Sequence, residues 1–436
     1  MKKVHIMTFG CQMNEHDTEQ ISGLLSAIGY VRTDAPEEAD MILLNTCSIR
    51  EKAEHKLYSQ LGHLRPLKEQ NPSMVLGVCG CVAQQEAAKI FKRVPFVDLV
   101  LGTKAIPKLP MLVQNLESRP RVLDVSDAVW SDESDYTTMR ERKFNAFITI
   151  IRGCDNYCSY CVVPYTRGRE ESRPSADIVK EARALAADGV IEITLLGQNV
   201  SSYRDGEHGK SSFPHLLRML NDVDGLKRIR FITAHPKDLT DELIETMAEL
   251  PNVCEHFHLP VQSGSSHVLR LMNRKYDREW YLNRIAALRR AMPDIAITTD
   301  VIVGFPGERE EDFQDTLSLL REVRYDAIFG FEYSNRPNAK SGNFPDQIAK
   351  ALKVERLQQV FDVQRGISLE IHAGMVGNTY EVLIESANPR FPGTLTGRTR
   401  HNHAVTFSGS EDLVGSMAFA KITEAHPYRL AGELIA

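Results

Sequence analysis

Along most of the chain, short apolar blocks alternate with stretches that place apolar residues at helical spacing. In the first 125 residues the blocks are KVHIMTFG, DMILLNT and MVLGVCG. Between and after them, EHDTEQISGLLSAIGY, SIREKAEHKLYSQLGHLRPLKEQ and VAQQEAAKIFKRVP carry the helical pattern. Strands alternating with helices predict a parallel sheet covered on both faces. Right-handed crossovers then align the strand C-terminal ends along one edge. Residues 126–145 (SDAVWSDESDYTTMRERKFN) are polar, charged and aperiodic, and predict a linker. From 146 the alternation resumes with AFITIIRG, IEITLLGQNV, RIRFITAHP, HFHLPVQ, IAITTDVIVGFP and AIFGFEYS. Six such units fall short of the eight of a closed barrel and predict an open, partial (β/α)6 barrel. Residues 346–373 predict one long amphipathic helix that completes the 146–373 unit. From 374 to 436 the texture changes to TYEVLIES, TLTGRT, HAVTFSG and LVGSMAFAKIT, short strands with Gly, Asn and Pro turns. That pattern predicts a small antiparallel β-barrel. The predicted fold class is α/β multidomain.

Composition narrows the class. Of 436 residues, 42% are hydrophobic and 25% charged, which excludes wholesale disorder. A net charge of −6 excludes a uniformly basic nucleic-acid coat and leaves room for a local patch. No run reaches the ~18 apolar residues of a membrane-spanning helix. The N-terminal apolar stretch ends at Phe9, shorter than the core of a secretion signal. The expected location is the cytoplasm. There, the eight cysteines read as metal ligands or reactive thiols before disulfides.

The cysteines are not scattered. Cys154, Cys158 and Cys161 form a CxxxCxxC just after the first barrel strand, where barrel enzymes keep their active sites. Three thiolates on one loop suit a cubane iron–sulfur cluster with one iron left open. A structural zinc site with a fourth ligand elsewhere is the alternative. Cys11, Cys47 and Cys81 are distant in sequence, yet each follows an apolar block. If those blocks are parallel neighbours, their thiols meet at one sheet edge. Three ordinary buried cysteines would explain them too. Cys79 shares a strand face with Cys81 and could approach the same point, whereas Cys254 reads as a core thiol.

CxxxCxxC with an aromatic residue, Tyr160, before its last cysteine resembles the cluster loop of the radical S-adenosylmethionine superfamily. FGCQMN, NTCSIREKA and GCVAQ, around Cys11, Cys47 and Cys81, resemble the N-terminal domain of methylthiotransferases. The resemblance continues through GQNV, His235-Pro236, LPVQSGS, DVIVGFPGE and Gly397-Arg398, in order along nearly the whole chain. GCQMN and NTCSIREKAE resemble the branch that modifies N6-isopentenyladenosine in tRNA. Family members often carry Arg-Pro-Gly after the last barrel strand; here it is Arg336-Pro337-Asn338, and Asn tolerates the left-handed turn.

The resemblance implies two [4Fe-4S] clusters, one on each cysteine trio, and two S-adenosylmethionine molecules per turnover. One would methylate a sulfur at the first trio; the other would yield a 5′-deoxyadenosyl radical at Cys154, Cys158 and Cys161. The product would be the 2-methylthio derivative of the isopentenylated adenosine at position 37. Tyr160, Gln198, Gln262, Ser263, Asp300, Ile302 and Gly304 would bind S-adenosylmethionine, although Gly304-Phe305-Pro306-Gly307 also reads as a plain turn. The C-terminal unit resembles a TRAM module, and its GRTRHNHAVTF stretch makes Arg398, Arg400, Asn402 and Phe407 candidate RNA contacts, a solvated turn being the alternative. The expected partners are the tRNA anticodon stem-loop, an electron donor such as flavodoxin or ferredoxin, and a sulfur donor; a monomer is expected. The first domain is expected to dock over the open barrel mouth. Methylthiotransfer to a ribosomal protein side chain or another tRNA adenosine, and a non-catalytic zinc-dependent RNA-binding protein, are the competing readings.

Overall fold

The structure is a computed structural model that describes residues 1–48, 51–126, 138–205 and 213–435. Ile49 and Arg50 of the second cysteine motif, and 127–137 of the expected linker, lie outside the described residues.

The first unit is a six-stranded, all-parallel sheet of β1 (Lys2–Phe9), β2 (Tyr30–Arg32), β3 (Met41–Thr46), β4 (Val75–Gly80), β5 (Leu99–Leu101) and β6 (Val122–Asp124). Its order is β2-β1-β3-β4-β5-β6. All six residues of β3 are buried, as a central strand covered by helices on both faces requires. The three long strands are those the apolar blocks predict. The three-residue strands β2, β5 and β6 are too short to leave a periodic signal. The helix expected after Cys81 breaks into Cys81–Glu86 and Lys89–Arg93, with Ala87 at φ +45° between them.

The central unit has six parallel strands around a lumen: β7 (Asn145–Thr149), then β10 (Glu192–Leu196), β11 (Arg228–Phe231), β12 (His256–His258), β13 (Ala296–Val303) and β14 (Ala327–Glu332). A bridge between Ile229 and Val253 joins the two halves. A two-residue strap, β8 (Ile151–Arg152) with β9 (Glu171–Ser172), follows β7. The six strands are the six apolar blocks expected. Ile148, Ile193, Ile229, Phe257, Ile297 and Val301 point outward into the core shared with the helices. The alternate residues Thr149, Arg230, His258, Asp300 and Phe329 therefore face the lumen. The long helix Lys350–Met375 covers β14.

The C-terminal unit is a closed barrel of β15 (Thr379–Ala387), β16 (Thr394–Thr399), β17 (Ala404–Ser408), β18 (Met417–His426) and β19 (Arg429–Ile435), in the order β15-β16-β17-β19-β18. The fifth strand, RLAGELI, was not among the expected ones; its buried Leu430 closes the core while Arg429 and Glu433 face out.

The turn between β16 and β17 forms the floor of the central lumen. Arg228 Nη1 donates to the Arg398 carbonyl at 2.8 Å, and Arg230 donates to the carbonyls of Thr399 at 2.8 Å and Arg400 at 3.0 Å. Arg230 Nε also meets Glu192 at 2.8 Å. The four candidate RNA contacts all have partners within the protein. Arg400 turns inward and pairs with Glu255 at 2.8 Å, also donating to the Pro251 and Val253 carbonyls. Arg398 is held by Glu385 at 3.1 Å, and Asn402 lies 3.4 Å from His256 Nε2. Phe407 is 3% exposed, inside the small barrel with Val405. The large apolar side chains this barrel does expose include Phe391, Phe419 and Tyr428.

Candidate active site

Strand register brings the first trio together. Phe9 pairs with Thr46, and Thr46 with Gly80, so β1, β3 and β4 end level. Cys11, Cys47 and Cys81 are the next residues after those ends or one beyond. A side chain on Gly10 would put its Cβ 2.7 Å from Cys47 Cβ and 2.3 Å from Asn14 Oδ1, so only glycine allows this approach. Cys11 caps the helix Gln12–Ala27, with Cys11 Sγ donating to Asn14 Oδ1 at 3.4 Å. Asn14 and Asn45, both fully buried, brace the turn: Asn14 Nδ2 donates to Asn45 Oδ1 at 3.1 Å, and Asn45 Nδ2 to the Asn14 carbonyl at 2.8 Å. A hydrogen bond from Cys47 lowers the Cys11 thiol to about 6 against the opposing effect of burial, helped by Arg167 and by backbone amides of the helix start. Burial raises Cys81, partly offset by Arg167.

Cys79 does not join this group. The chain leaves β4 at Gly80, so Cys81 opens a helix and no longer shares a strand face with Cys79. Cys79 is 1% exposed in the apolar core, with Sγ 3.6 Å from the Leu44 carbonyl, and burial pushes its thiol far up. Cys254 is buried, as expected.

The second trio lies on the loop after β7 and β8. The 271–274 segment clamps it: Asn273 Nδ2 donates to the Tyr157 carbonyl at 2.9 Å, and Ser159 Oγ to the Leu271 carbonyl at 2.9 Å. Buried Arg274 donates to Cys158 Sγ at 3.2 Å, Tyr160 Oη at 3.3 Å and the Pro260 carbonyl at 3.1 Å. Asn156 donates to Cys154 Sγ at 3.3 Å. Burial raises Cys154, and raises Cys161 to about 12, with the neighbouring thiols adding to the rise.

The first unit reaches the barrel beside this loop. Arg167 Nη2 meets Asp17 Oδ2 at 2.9 Å with both side chains buried, Thr103 Oγ1 donates to the Thr166 carbonyl at 2.9 Å, and His16 lies edge-on to lumen-facing Phe147 at 6.4 Å.

Residues expected to hold S-adenosylmethionine are placed unevenly. Gln198 accepts the Gly153 N–H at 2.6 Å, next to Cys154. Tyr160 stacks edge-on against Phe305 at 6.5 Å. Gln262, at φ +73°, donates its N–H to the Asp300 carbonyl at 2.9 Å. Asp300 and Ile302 face the lumen. Ser263 does not: it is fully buried, and its hydroxyl is 3.4 Å from Thr316 Oγ1 and accepts the Ser265 N–H. The space over Gly304 is also taken, since a Cβ there would lie 2.4 Å from Lys353 Cγ; the glycine serves approach of the long helix. Asn338 sits at φ +68°, as its substitution for glycine requires.

Asp312 holds the Gln262–Ser265 loop from behind. Ser265 Oγ donates to it at 2.6 Å, the Arg309 N–H at 2.9 Å, and His267 Nδ1 lies 3.2 Å away. Burial alone would raise this carboxyl, but hydrogen bonds from Ser265, Arg309 and His267 bring it down to about 2. A depressed carboxyl stabilises the fold fully above its unfolded value near 3.8 and loses that contribution as pH falls toward 2. Asp312→Asn is therefore expected to cost about 2 kcal/mol at pH 7. In urea titrations its deficit against wild type should shrink between pH 4 and 2; a constant deficit would show that the charge does not matter.

Sequence reasoning left several mouth residues without a role. His235, part of the His235-Pro236 motif, lies in the loop after β11 and caps the turn Pro236–Asp238 at 4% exposure. Its Nδ1 accepts the Lys237 N–H at 3.3 Å, and its Nε2 has no hydrogen-bond partner among the described residues. Burial, with Arg274 and Lys237 nearby, pushes the ring down and keeps it neutral, so Nε2 carries the hydrogen. Phe329, 50% exposed, stands in the lumen against His258 at 5.7 Å. An aromatic run on a strand marks core and ligand wall alike, so no signal separated it.

A partial barrel with a three-cysteine loop at its mouth defines a radical S-adenosylmethionine enzyme, here flanked by two further modules. Residues 3–102 match the uncharacterized protein family UPF0004, 148–320 the radical SAM superfamily and 374–435 the TRAM domain. The chain is 46% identical over 437 residues to a tRNA-2-methylthio-N(6)-dimethylallyladenosine synthase of Carboxydothermus hydrogenoformans, covering 100% of this chain and 99% of that protein. It is 48% identical over 435 residues to the enzyme of the same name from Geobacter metallireducens, covering 99% and 98%. The chain belongs to the tRNA-2-methylthio-N(6)-dimethylallyladenosine synthase family. Among solved structures, the radical S-adenosylmethionine methyltransferase TsrM from Kitasatospora setae superposes with a TM-score of 0.56 at 14% identity, over 91% of this chain and 78% of that one. That likeness concerns the fold alone.

Proposed function

We propose that this chain attaches a methylthio group to C2 of N6-isopentenyladenosine at position 37 of tRNA. The observation that carries the reading is the placement of two separate cysteine trios at strand C-terminal ends, on two units joined through Arg167 and Asp17. In this reading Cys11, Cys47 and Cys81 hold one [4Fe-4S] cluster, and Cys154, Cys158 and Cys161 the other. The donor chemistry fits. Each trio offers three soft sulfur ligands, which bind a metal as thiolates. When bound, the clusters and S-adenosylmethionine supply one-electron cleavage to a 5′-deoxyadenosyl radical at one trio and a methylatable sulfur at the other.

The chain's own residues do the rest. An aromatic C2–H is too weak an acid for a general base, so the lumen needs to position the base more than to titrate it. Gln198 and Asn273 fix the cluster loop; Asn14 and Asn45 fix Cys11. Phe329 and His258 offer an apolar wall for a purine, and His235 Nε2–H a donor for an adenosine acceptor. With Arg398, Arg400, Asn402 and Phe407 committed to the domain seam or the small-barrel core, RNA is left to exposed side chains such as Phe391 and Phe419. The three-part division at 1–125, 146–373 and 374–436 belongs to the same reading. Among the described residues no helix is long and apolar enough to cross a membrane.

The test is anaerobic incubation of reconstituted protein with reductant, S-adenosylmethionine and an anticodon stem-loop carrying N6-isopentenyladenosine. Mass spectrometry should find the 2-methylthio nucleoside. Unmodified RNA beside a methylthiolated ribosomal protein would overturn the reading.

A further inference from the structure

The second cysteine loop is held on two flanks. Thr166 and Arg167, which follow Cys161, meet the first unit at Thr103 and Asp17. The Tyr157–Ser159 tip is held instead by the 270–277 segment. Asn273 Nδ2 donates to the Tyr157 carbonyl at 2.9 Å, the Ser159 N–H to the Met272 carbonyl at 3.0 Å and Ser159 Oγ to the Leu271 carbonyl at 2.9 Å. Three residues at this junction sit in the left-handed region: Tyr157 at φ +48°, Asn273 at φ +60° and Lys275 at φ +64°. Asn adopts it readily; Tyr and Lys do not, and strain of this kind gathers at functional places.

The same segment opens a pocket to solvent. The charged residues lining it are Arg270, Arg274, Lys275 and Asp277. Arg270 and Lys275 are exposed, and among the described residues neither forms an ion pair. Asp277 accepts the Trp280 N–H at 2.9 Å and starts the helix Arg278–Ala291. Beyond it, Arg278 meets Glu322 at 2.8 Å and Glu279 is exposed. On the cluster loop Asp155 pairs with Arg169 at 3.2 Å, and Glu170, near Cys154, accepts the Ser202 hydroxyl at 2.8 Å. The pocket itself thus sets three positive groups against one negative, on a chain whose net charge is −6.

Arg274 leads inward. It lines the pocket and donates to Cys158 Sγ at 3.2 Å, so a single side chain separates the pocket from a ligand sulfur. Electron transfer falls off steeply with distance, which makes this a short way in. Tyr157, 40% exposed at the loop tip, adds an aromatic beside the basic side chains, the pairing that anchors protein interfaces. A substrate base between the two trios is approached from the flank shared with the first unit, which leaves the 270–277 flank to another partner.

We propose that the face formed by Arg270, Lys275 and Tyr157 is the docking site of an acidic one-electron carrier protein. This rests on the reading that Cys154, Cys158 and Cys161 hold a cluster. The carrier gives up one electron and is oxidised, the oxidised cluster site beneath is reduced by it, and no bond forms or breaks. The basic residues steer the carrier and set its orientation; they take no part in the chemistry of the base.

The experiment uses the full-length reconstituted protein and an acidic flavodoxin as the probe. Calorimetry gives the dissociation constant at low and at physiological salt. Release of 5′-deoxyadenosine is followed with either reduced flavodoxin, below saturation, or dithionite as reductant. Wild type should bind the flavodoxin, and less tightly as salt rises. The double change Arg270→Glu with Lys275→Glu should weaken binding about tenfold or more and lower flavodoxin-driven release with it. Dithionite, which needs no docking, should drive the variant as it drives wild type. No binding by wild type, or an unchanged dissociation constant in the double variant, overturns the proposal. So does a variant that keeps its affinity for flavodoxin and loses it for the anticodon stem-loop, which would make this an RNA surface. Lys275 Nζ donates to the Asn273 side chain that clamps the loop. Should the double variant fail to load iron, Arg270→Glu alone carries the test, and unchanged flavodoxin binding there overturns the proposal. Failure of the underlying reading is separately visible, as wild-type protein without iron–sulfur absorption.

Discussion

Replacing Cys154, Cys158 and Cys161 together with Ala is expected to abolish both 5′-deoxyadenosine formation and methylthiolation while leaving a folded protein with about four irons per chain instead of about eight. The loop geometry makes this separable from unfolding. Its shape is set by contacts that do not involve sulfur: Asn273 to the Tyr157 carbonyl, Ser159 to Leu271, Gln198 to Gly153. Cys154 and Cys161 are only partly buried, so their truncation leaves little void. The cost falls on Arg274, which loses an acceptor at Cys158 and keeps three others. Iron and sulfide analysis, circular dichroism and product assay decide it together. Full iron content in the variant would remove this trio from the cluster sites.

The complementary change, Cys11, Cys47 and Cys81 to Ala, is expected to abolish the methylthio product and halve the iron, yet leave S-adenosylmethionine cleavage in place. The two trios lie on different sheets, and the lumen residues Gln262, Asp300 and Ile302 are held by one another and by β14. Cys47 and Cys81 are buried, so a stability loss on the order of 1–2 kcal/mol accompanies the change. Asn14 and Asn45 remain to hold the turn. The measurement is 5′-deoxyadenosine released per chain with and without the RNA. Its disappearance alongside the product would mean that the trios act as one site.

What was legible in the sequence followed from period and spacing. All six barrel strands were, because each is an apolar block bounded by helical spacing. So was the meeting of Cys11, Cys47 and Cys81, because in a parallel sheet the residues that follow neighbouring strands must lie along one edge. What was not legible depended on which partner a charge finds. Arg400 sits in a short basic stretch and reads as an RNA ligand; the structure sends it to Glu255, 145 positions away. Local sequence cannot tell a guanidinium bound for water from one bound for a buried carboxylate. Arg274 was invisible for the same reason: 116 positions separate it from the sulfur it touches. Phe407 is the opposite case. It alternates with Val405, so the two-residue period placed it on the inner face of its strand, and the expectation of stacking on bases overrode a pattern already present.

The floor built by the Arg398–His403 turn has a consequence for how this molecule can be dissected. A carbon-centred radical survives only where it meets its intended hydrogen first. With Arg228 and Arg230 donating to backbone carbonyls of the small barrel, that barrel is the stopper of the reaction vessel as well as, in the reading proposed above, a handle for RNA. Cutting the chain before Met375 would strip both arginines of those partners and let bulk solvent in from beneath. A shortened enzyme that turned over fruitlessly would then be leaking, and its weaker grip on RNA would be only part of the reason.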